Sequence, residues 1–150
     1  MDVFQWNKKF ETGLAEVDKQ HQHLVNVIND FSKLATRGDV PLEALTDVFN
    51  ELASYTQYHF SEEEKLMAEI AIDERHTGDH MKQHNEFLQA VLDLHQDMVM
   101  GCDDAKGKLL TFLTDWLVHH ILDCDMCLSR QIKAVQSGVP AAQAYEAEEK

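Results

Sequence analysis

The amino-acid sequence predicts an all-α fold, an antiparallel up-down-up-down four-helix bundle with an irregular N-terminal arm and a C-terminal helical extension. Only six glycines and two prolines occur in 150 residues, and 44% of the residues are hydrophobic, which favours long uninterrupted helices. Four segments carry apolar residues at the three- and four-residue spacing of a helix face. The short connections between them favour antiparallel neighbours within a single domain.

The N-terminal arm covers residues 1–17. It is expected to be irregular, with three apolar anchors over one end of the bundle: Trp6, Phe10 and Leu14. Asp18 is a suitable N-cap for a first helix, which we expect to reach about Arg37, before Gly38. The inward face of this helix is predicted to carry His21, Leu24, Val25, Ile28, Phe31 and Ala35.

The second helix is predicted to begin near Pro41, because proline suits the first helical turn. Asp39 is its expected cap, and its end is expected between residues 68 and 72. The inward face is predicted to carry Leu45, Val48, Leu52, Tyr55, His59, Glu63 and Leu66.

The third helix is predicted to begin at Asp73 or Thr77 and to end at Met100. Its inward face is predicted to carry His80, His84, Phe87, Val91 and Leu94. The fourth helix is expected to be capped by Asp103 or Asp104 and to reach Val135. Residues 141–150 are predicted to begin another helix.

The formal net charge of −14 arises from 27 acidic and 13 basic residues. Nucleic acid and anionic membranes attract basic surfaces, so neither is expected as a partner. The sequence contains no apolar run as long as a membrane span and no signal peptide. Three cysteines do not suggest a disulfide framework, so the reducing cytoplasm is the expected location. Cys124 and Cys127 form a CxxC inside a helix, away from an N-terminus that would lower a thiol pKa, and are expected to be small core residues.

Nine histidines in 150 residues are an unusual feature. His59 and Glu63 lie four residues apart, a spacing that places both side chains on one helix face, and the same spacing relates His80 to His84. One such pair could be solvated or simply hydrogen-bonded. Several buried pairs together indicate a metal site, because unpaired polar groups are costly inside a core, and histidine favours Fe, Zn, Cu or Ni over Mg or Ca. The candidate ligands are His21, His59, Glu63, His80, His84, His120 and Asp125.

The remaining histidines have simpler interpretations. His76 also lies four residues before His80 and forms a competing pair with it, but its place near the end of a loop predicts a surface residue. His23 is expected on the polar face of the first helix. His95 is expected to be a hydrogen-bonded core or bundle-end residue.

The fourth helix offers two adjacent histidines. His120 continues a regular apolar stripe, whereas His119 shares a face with Asp123, which would make an alternative ligand pair. Periodicity favours His120. The stripe consists of Leu110, Leu113, Leu117, His120, Cys124 and Cys127.

Four segments resemble sequence blocks of the bacterial hemerythrins, which are di-iron oxygen-binding four-helix bundles. They are WNKKFETGLAEVDKQH at 6–21, HFSEEEKLM at 59–67, HMKQH at 80–84 and WLVHHILDCD at 116–125. They are similar to the family's W…G…D-x-Q-H, HFxxEExxM, HxxxH and WLxxHIxxxD patterns and occur in the same order. The resemblance spans positions 6 to 130.

The resemblance implies two non-haem iron ions joined by an oxo or hydroxo bridge. One iron would be bound by three histidines, His80, His84 and His120. The other would be bound by His21 and His59 and would keep an open position. Two carboxylates, Glu63 and Asp125, would bridge the two irons. O2 would then bind reversibly at the open position as a hydroperoxide. Leu24, Trp116 and Ile121 match the family's pocket wall, which keeps water away from the bound oxygen.

The spacing of His120 and Asp125 predicts a distortion of the fourth helix. Five residues of ideal α-helix turn through about 500°, which leaves the two side chains about 140° apart around the axis. Both can face one metal cluster if the helix widens to π-type winding, in which positions i and i+5 share a face. We therefore predict a π-type bulge or local unwinding between Trp116 and Leu128.

The sequence supports three uses for such a site. The first is an oxygen or redox sensor, in which residues 1–137 form the di-iron bundle and residues 138–150 form a helical linker or tail leading to an output domain, such as a diguanylate cyclase. The second is a stand-alone oxygen carrier or store. A di-iron oxidase or peroxidase is disfavoured, because such sites in this architecture are carboxylate-rich; the domain itself is therefore not expected to be an enzyme. The sequence does not specify an oligomeric state.

Overall fold

A computed structural model describes residues 4–38 and 40–148, and within these ranges the chain contains helices and no strand. The first three helices are α1 (Ala15–Ala35), α2 (Leu42–Ile70) and α3 (Glu74–Val99). The fourth rod consists of α4 (Ala105–His119), a π-helical segment (His120–Asp125) and α5 (Met126–Gln136). A last helix, α6 (Ala141–Glu148), packs on α5. Because α1 contacts α2 and α4, and α3 contacts α2 and α4, the predicted four-helix bundle with a C-terminal helical extension is confirmed.

The N-terminal arm is fixed to the bundle by a pair of hydrogen bonds. The backbone N–H of Phe4 donates to Asn29 Oδ1, and Asn29 Nδ2 donates to the Phe4 carbonyl, both at 2.9 Å. A short 3-10 turn, Lys8–Phe10, then buries the Phe10 ring against Phe4 and Trp6. Two of the predicted anchors, Trp6 and Leu14, are half-buried.

The predicted N-cap role of Asp18 is wrong. Helix α1 begins at Ala15, so Asp18 lies inside the first turn, where its Oδ1 accepts hydrogen bonds from the backbone and hydroxyl of Thr12, both at 2.8 Å. The Asp18 carboxylate also accepts from the Gly13 backbone at 3.1 Å. Gly13 has a φ of +86°, a conformation that L side chains rarely adopt. Asp18 therefore stabilises the turn before the helix.

The other helix boundaries follow the predictions closely. Pro41 occupies the N-cap position of α2, and Asp39 lies outside the described residues. Asp73 caps α3 by accepting from the Arg75 backbone at 2.9 Å, so the earlier of the two predicted starts is the observed one. Asp104 occupies the N-cap position of α4 with a φ of 57°, but its side chain makes no capping hydrogen bond.

The predicted distortion of the fourth helix is confirmed. Residues His120–Asp125 are π-helical, and the backbone N–H of Met126 donates to the carbonyl of Ile121, five residues earlier. The wider winding places His120 and Asp125 on the same side of the rod, with His120 Nε2 3.1 Å from Asp125 Oδ1. A local change in helix type thus brings together two side chains that a regular helix would separate.

The bundle has two apolar clusters of unequal size. The larger one fills the part of the bundle that contains the C-terminal half of α1 and the N-terminal half of α2, with fully buried Phe31 and Leu109 at its centre. The smaller one consists of Met67, Ile72, Leu128 and Ile132. Along α2 and along the fourth rod, buried histidines and carboxylates lie between the two clusters. None of the described helices is long and apolar enough to cross a membrane.

Candidate metal centre

Seven buried polar side chains converge between the two apolar clusters. Their ligand atoms form two groups, each within 4.8 Å, and Glu63 belongs to both. One group contains three histidines and consists of Glu63, His80, His84 and His120. The other contains two histidines and consists of His21, His59, Glu63 and Asp125. The structure thus brings together all seven side chains that the sequence predicted as ligands.

Each bundle helix contributes to this cluster through its own local pattern. On α2 the four-residue spacing places His59 and Glu63 on one face, with His59 Nε2 3.0 Å from Glu63 Oε1. On α3 the same spacing places the rings of His80 and His84 4.6 Å apart. The π-helical segment supplies the other two side chains of the fourth rod, and His21 completes the set from α1.

The two carboxylates lie between the histidine groups. Asp125 Oδ2 is 2.8 Å from His21 Nε2, whereas its Oδ1 is 3.3 Å from His80 Nε2 and 3.1 Å from His120 Nε2. Glu63 Oε1 faces His59, and Glu63 Oε2 is 3.6 Å from His80 Nε2. Each carboxylate therefore presents oxygen atoms to both groups, as a ligand that bridges two metal ions must.

The cluster has the properties of a metal site rather than of a hydrogen-bonded core network. All five histidine Nε2 atoms and all four carboxylate oxygens are buried, and none has a hydrogen-bond partner of suitable geometry among the described residues. The short nitrogen–oxygen distances are therefore ion-pair contacts without hydrogen-bond alignment. Buried polar atoms are normally paired, so the donor set fits two metal ions placed between these lone pairs. Imidazole and carboxylate are suitable ligands for iron.

Three of the five histidines are oriented by oxygen acceptors behind them. His59 Nδ1 lies 2.6 Å from Gln20 Oε1, His84 Nδ1 3.0 Å from Glu64 Oε2, and His120 Nδ1 3.1 Å from Gln83 Oε1. An oxygen that accepts from Nδ1–H fixes the tautomer in which Nε2 carries the free lone pair. These three contacts therefore turn Nε2 toward the centre. Sequence reasoning did not identify Gln20, Glu64 or Gln83, although each lies next to a ligand residue in the sequence or one helical turn from it.

The close approach of carboxylates and imidazoles shifts the pKa values of several side chains in the cluster. Burial alone would raise the pKa of Glu63, but the surrounding histidines, His59 first, hold that pKa well below its usual range. Burial and Glu63 raise the pKa of Asp125, yet the neighbouring His120 and His21 lower it overall. Burial lowers the pKa of His80, and the Asp125 and Glu63 carboxylates outweigh it and raise the pKa to about 12. A metal ion that binds His80 must displace any proton held on the ligating nitrogen.

A small apolar cavity lies near the cluster, and none of the seven candidate ligands is among its lining residues. It has a volume of about 10 Å³ and is lined by Leu24 and Thr56, which lie one helical turn from His21 and His59, together with Trp116 and other apolar side chains. Thr56 is the one polar residue of this lining, and its hydroxyl donates to the Leu52 carbonyl at 2.7 Å. The volume is close to the lower limit for one water molecule, so the cavity suits a single small apolar molecule.

The cavity wall also contacts the three-histidine side. The Trp116 ring stacks on His120 at 4.3 Å, and Phe60 stacks on His84 at 3.7 Å. Leu24 and Trp116, which were predicted to form the pocket wall, line this cavity, and their role toward O2 stays a prediction. Ile121 is fully buried but lies outside the cavity lining, and its part in the pocket stays a prediction.

The predicted surface position of His76 is wrong. Because α3 begins at Glu74, His76 lies in the first helical turn on the same face as His80, and it is only 6% exposed. His76 Nε2 is 2.9 Å from His80 Nδ1, and Gln131 Nε2 is 3.0 Å from His76 Nδ1. Burial, followed by the proximity of His80, lowers the pKa of His76 to about 4, so the imidazole is neutral at pH 7.

His120, His119 and His23 occupy the predicted environments, whereas the predicted hydrogen bonding of His95 is not observed for its Nε2. His120 is buried and His119 is exposed, as is Asp123, so the alternative pair does not join the cluster. His23 is exposed and packs on Tyr55. His95 is half-buried and stacks on Phe49 at 4.0 Å, and its Nε2 has no hydrogen-bond partner within the part of the chain that the structure describes.

This combination of fold and site defines a class: the non-haem dinuclear metal proteins built on an antiparallel four-helix bundle. Residues 12–128 match the family of the hemerythrin HHE cation binding domain. The chain therefore belongs to the hemerythrin family, as the sequence blocks indicated. It is a non-haem di-iron protein that binds O2, and a hemerythrin domain is an oxygen-binding rather than an enzymatic domain.

Named relatives agree with this assignment. The chain is 28% identical over 134 residues to a bacteriohemerythrin of Stenotrophomonas maltophilia, which covers 89% of this chain and 84% of the relative. It is 31% identical over 120 residues to a bacteriohemerythrin of Pseudomonas aeruginosa, covering 80% and 75% of the two chains. A hemerythrin-like protein of Naegleria gruberi is 29% identical over 123 residues, covering 82% and 88%.

Proposed function

We propose that this chain is the oxygen- or redox-sensing input domain of a cytoplasmic signalling protein, with residues 1–137 as the di-iron bundle and residues 138–150 as a helical tail. The iron ligands are the seven converging side chains: His21, His59, Glu63, His80, His84, His120 and Asp125. The observation that carries the ligand assignment is that every inward-facing nitrogen and oxygen atom of this set is buried without a hydrogen-bond partner in the described part of the chain.

The uneven distribution of histidines supports the position of the open site. One group has three histidines with Glu63, and the other has two histidines with Glu63 and Asp125; Asp125 Oδ1 also lies 3.3 Å from His80 Nε2 and 3.1 Å from His120 Nε2. The apolar cavity is lined by Leu24 and Thr56, which lie one helical turn from the two histidines of the second group, and also by Phe60 and Trp116, which stack on histidines of the first group. An O2 molecule that reaches the iron with fewer protein ligands would therefore enter an apolar space.

When bound, the iron pair supplies the electrons and the open coordination position that reversible O2 binding needs. The protein supplies orientation and exclusion of water. Gln20 holds His59 by its Nδ1, so the ring cannot rotate away from the centre. Leu24, Phe60 and Trp116 close the cavity with apolar surface, which disfavours the entry of water that would displace bound oxygen.

The placement of α6 supports the sensor role. Arg75, next to His76 on α3, lies over the Tyr145 ring at 4.4 Å and contacts Glu146 at 3.5 Å. Arg130 on α5 contacts Glu148 at 2.7 Å. The tail thus rests on the two helical segments that carry or follow His80 and Asp125, where a change at the centre can alter its docking.

Iron analysis tests the ligand assignment. Purified protein should carry two irons per chain and, when oxidised, show charge-transfer bands in the near ultraviolet. His84→Ala should lose iron, whereas the matched variant His119→Ala, which alters an exposed neighbour of His120, should keep both ions. A single zinc per chain, or unchanged iron content in His84→Ala, would refute the assignment.

A carrier or store is the second candidate, because the apolar cavity also suits long-lived O2 binding and the match covers 84% and 75% of two bacteriohemerythrins. Backbone amide exchange of α6 distinguishes the two. A sensor should change the exchange rates of residues 141–148 between the reduced and the oxidised states and should oxidise readily in air. Equal exchange in both states, with an oxygenated form stable for many hours, would favour the carrier.

A further inference from the structure

His76 and Gln131 continue the hydrogen-bond pattern of the metal centre outward from His80. Both are buried, with exposed fractions of 6% and 1%. His76 comes from the first turn of α3 and Gln131 from the middle of α5. The resulting chain runs His80 Nδ1, His76 Nε2, His76 Nδ1 and the Gln131 amide, at distances of 2.9 and 3.0 Å.

The position of each proton in this chain follows from the role of His80. Its Nε2 faces Asp125 and Glu63 at the centre, so a metal ion there requires the lone pair on Nε2 and the proton on Nδ1. The Nδ1–H of His80 must then donate to His76 Nε2. A neutral imidazole that accepts at Nε2 carries its own proton on Nδ1, and this proton points toward Gln131.

The amide of Gln131 shows an inconsistency that this proton order resolves. In the structure its Nε2 faces His76 Nδ1, which would bring two N–H groups to within 3.0 Å of each other. Its Oε1 is buried and has no hydrogen-bond partner among the described residues. Amide nitrogen and oxygen atoms are nearly equivalent in shape, and their orientation follows from the hydrogen-bond network. A half-turn of the amide places Oε1 where His76 Nδ1–H can donate to it.

We propose that His76 and Gln131 are positioning residues that hold His80 in its metal-binding tautomer, through the chain His80 Nδ1–H to His76 Nε2 and His76 Nδ1–H to Gln131 Oε1. The proposal rests on the assignment of His80 as an iron ligand. His80 thereby differs from His59, His84 and His120, whose acceptors are single oxygen atoms. It is held through a second imidazole that spans the space between α3 and α5.

The half-turn of the Gln131 amide replaces a contact between two N–H donors with a hydrogen bond from His76 Nδ1–H to Gln131 Oε1. In the orientation of the structure, Gln131 Nε2 is 3.4 Å from the Cys127 carbonyl and 3.6 Å from Cys127 Sγ. Both distances are near the outer limit for hydrogen bonds to oxygen and sulfur. After the half-turn, His76 Nδ1–H gains an acceptor at 3.0 Å and the Cys127 thiol can donate to Oε1, whereas the weak contact with the Cys127 carbonyl is lost because both atoms are acceptors. The turned amide leaves Nε2 in the buried position without a partner, but it removes the contact between two N–H donors that the metal-binding tautomer of His80 would otherwise impose.

A third metal ion is the rival explanation. His76, His80 and Cys124 also place ligand atoms within 4.8 Å of one another. A metal ion there would take His80 Nδ1 and His76 Nε2 as ligands, and the hydrogen bond between them could not form. The proposal therefore requires two metal ions per chain and no more.

The proton positions are measured directly in the full chain loaded with Zn²⁺, which keeps the protein diamagnetic. Long-range proton–nitrogen correlation spectra should place the protons of both His76 and His80 on Nδ1. A proton on Nε2 of His76, or a metal content above two per chain that falls in Cys124→Ala, would overturn the proposal. If the wild-type chain bound neither iron nor zinc, the proposed function itself would fail, and the two failures are thus distinguishable.

Iron release from the reduced protein to a ferrous chelator tests the role of each group. Gln131→Leu removes the acceptor and should speed release by about 10- to 100-fold, the usual effect of losing an outer partner of a ligand histidine. Gln131→Glu keeps oxygen acceptors but no amide nitrogen, so it should retain slow release. A Gln131→Glu variant that released iron as fast as Gln131→Leu would show that the amide nitrogen matters, and the proposal would be wrong.

A matched pair on α3 separates positioning from packing. His76→Phe should release iron faster, by the same factor as Gln131→Leu. His95→Phe, which alters a half-buried histidine stacked on Phe49, should leave the rate unchanged. Equal rates in the two phenylalanine variants would overturn the role of His76. The zinc-loaded wild-type spectra decide the question independently if either variant fails to fold.

Discussion

The two ends of the bundle are held together by different physical forces. One end, which we call the apolar end, contains the C-terminal half of α1 and the N-terminal half of α2, packed around Phe31, Phe49 and Leu109. The other, the metal end, contains the N-terminal part of α1, the last turns of α2, the first turns of α3 and the π-helical segment. Its interior is the seven-residue ligand set, with only the small cluster of Met67, Ile72, Leu128 and Ile132 beyond it.

The difference shows how a buried polar site makes the stability of one end of the bundle depend on a bound ion. At the apolar end, burial of hydrocarbon stabilises the fold without any ligand. At the metal end, five imidazole nitrogens and four carboxylate oxygens face one another without hydrogen bonds in the described structure. Such atoms are favourable in the interior only when an ion pairs with them. On the proposed ligand assignment, we therefore expect the metal end to depend on iron for its order and the apolar end to be independent of it.

Removal of iron should have the largest effect. A chelated, metal-free chain should lose about 5 kcal/mol or more of unfolding free energy, because buried charges remain with incomplete pairing. Amide exchange should become fast around His80 and the π-helical segment while Val91 and Leu109 stay protected. Chemical denaturation and exchange of the same sample provide the measurement. A uniform loss of protection along all four helices would show that the two ends form one cooperative unit.

Shortening a side chain at the apolar end should lower the stability of the fold without changing the iron content. Phe31 is fully buried, so Phe31→Ala should cost about 3–5 kcal/mol of unfolding free energy through lost burial and a cavity. The folded variant should still contain two irons per chain, because Phe31 does not contact the ligand set. Denaturation and iron analysis on one preparation check both statements. Iron loss at a temperature where the variant is folded would contradict the independence of the two ends.

A change in the cavity wall should alter kinetics more than stability. Leu24→Val or Trp116→Phe enlarges the apolar cavity and admits water, so autoxidation should accelerate. A barrier lower by about 1 kcal/mol corresponds to a rate increase of about fivefold. Leu109→Val, a matched change at the apolar end, should leave the rate at the wild-type value. Iron content measured in parallel should stay at two, and unchanged autoxidation in both pocket variants would place the oxygen pocket elsewhere.

Much of the metal end could be predicted from the sequence because its residues obey helix geometry. The four-residue spacing on α2 and α3 indicated which side chains share a face. The five-residue spacing of His120 and Asp125 conflicted with an ideal helix, and that conflict predicted the π-helical segment. The conflict between local winding and ligand placement was therefore itself a structural signal.

The outer partners could not be predicted in the same way. The burial of His76 depends on whether α3 begins at Glu74 or three residues later, and a helix start is a weak sequence signal. Gln131 on α5 contacts His76 on α3, although the two residues are 55 positions apart in the sequence. No helical periodicity relates residues on different helices. The role of Asp18 was misjudged for a similar reason, since its carboxylate serves as a cap for the preceding turn and not for the helix.

The smallest expected effect concerns the attachment of α6 to the metal end. Arg130 Nε donates to Glu148 Oε1 at 2.7 Å. Burial raises the pKa of Glu148, but Arg130 outweighs it and lowers the pKa below its usual range. A carboxyl group with a lowered pKa contributes stability above its usual pKa near 4.5 and loses it as the pH falls. Docking of α6 should therefore weaken as the pH falls below about 4.5, by less than about 1 kcal/mol because this pair is partly solvated.

The backbone resonance of Ala144, which is buried on α6, reports this docking. In the wild type it should shift toward its undocked position between about pH 5 and 3, according to the lowered carboxyl pKa. Glu148→Gln should show part of that shift already at pH 7 and no titration below it. The neutral-pH variant separates the ion pair from acid-induced loss of iron, since its ligand set is intact. A wild-type resonance that moved only when iron was lost would show that α6 follows the metal centre and not its own salt bridge.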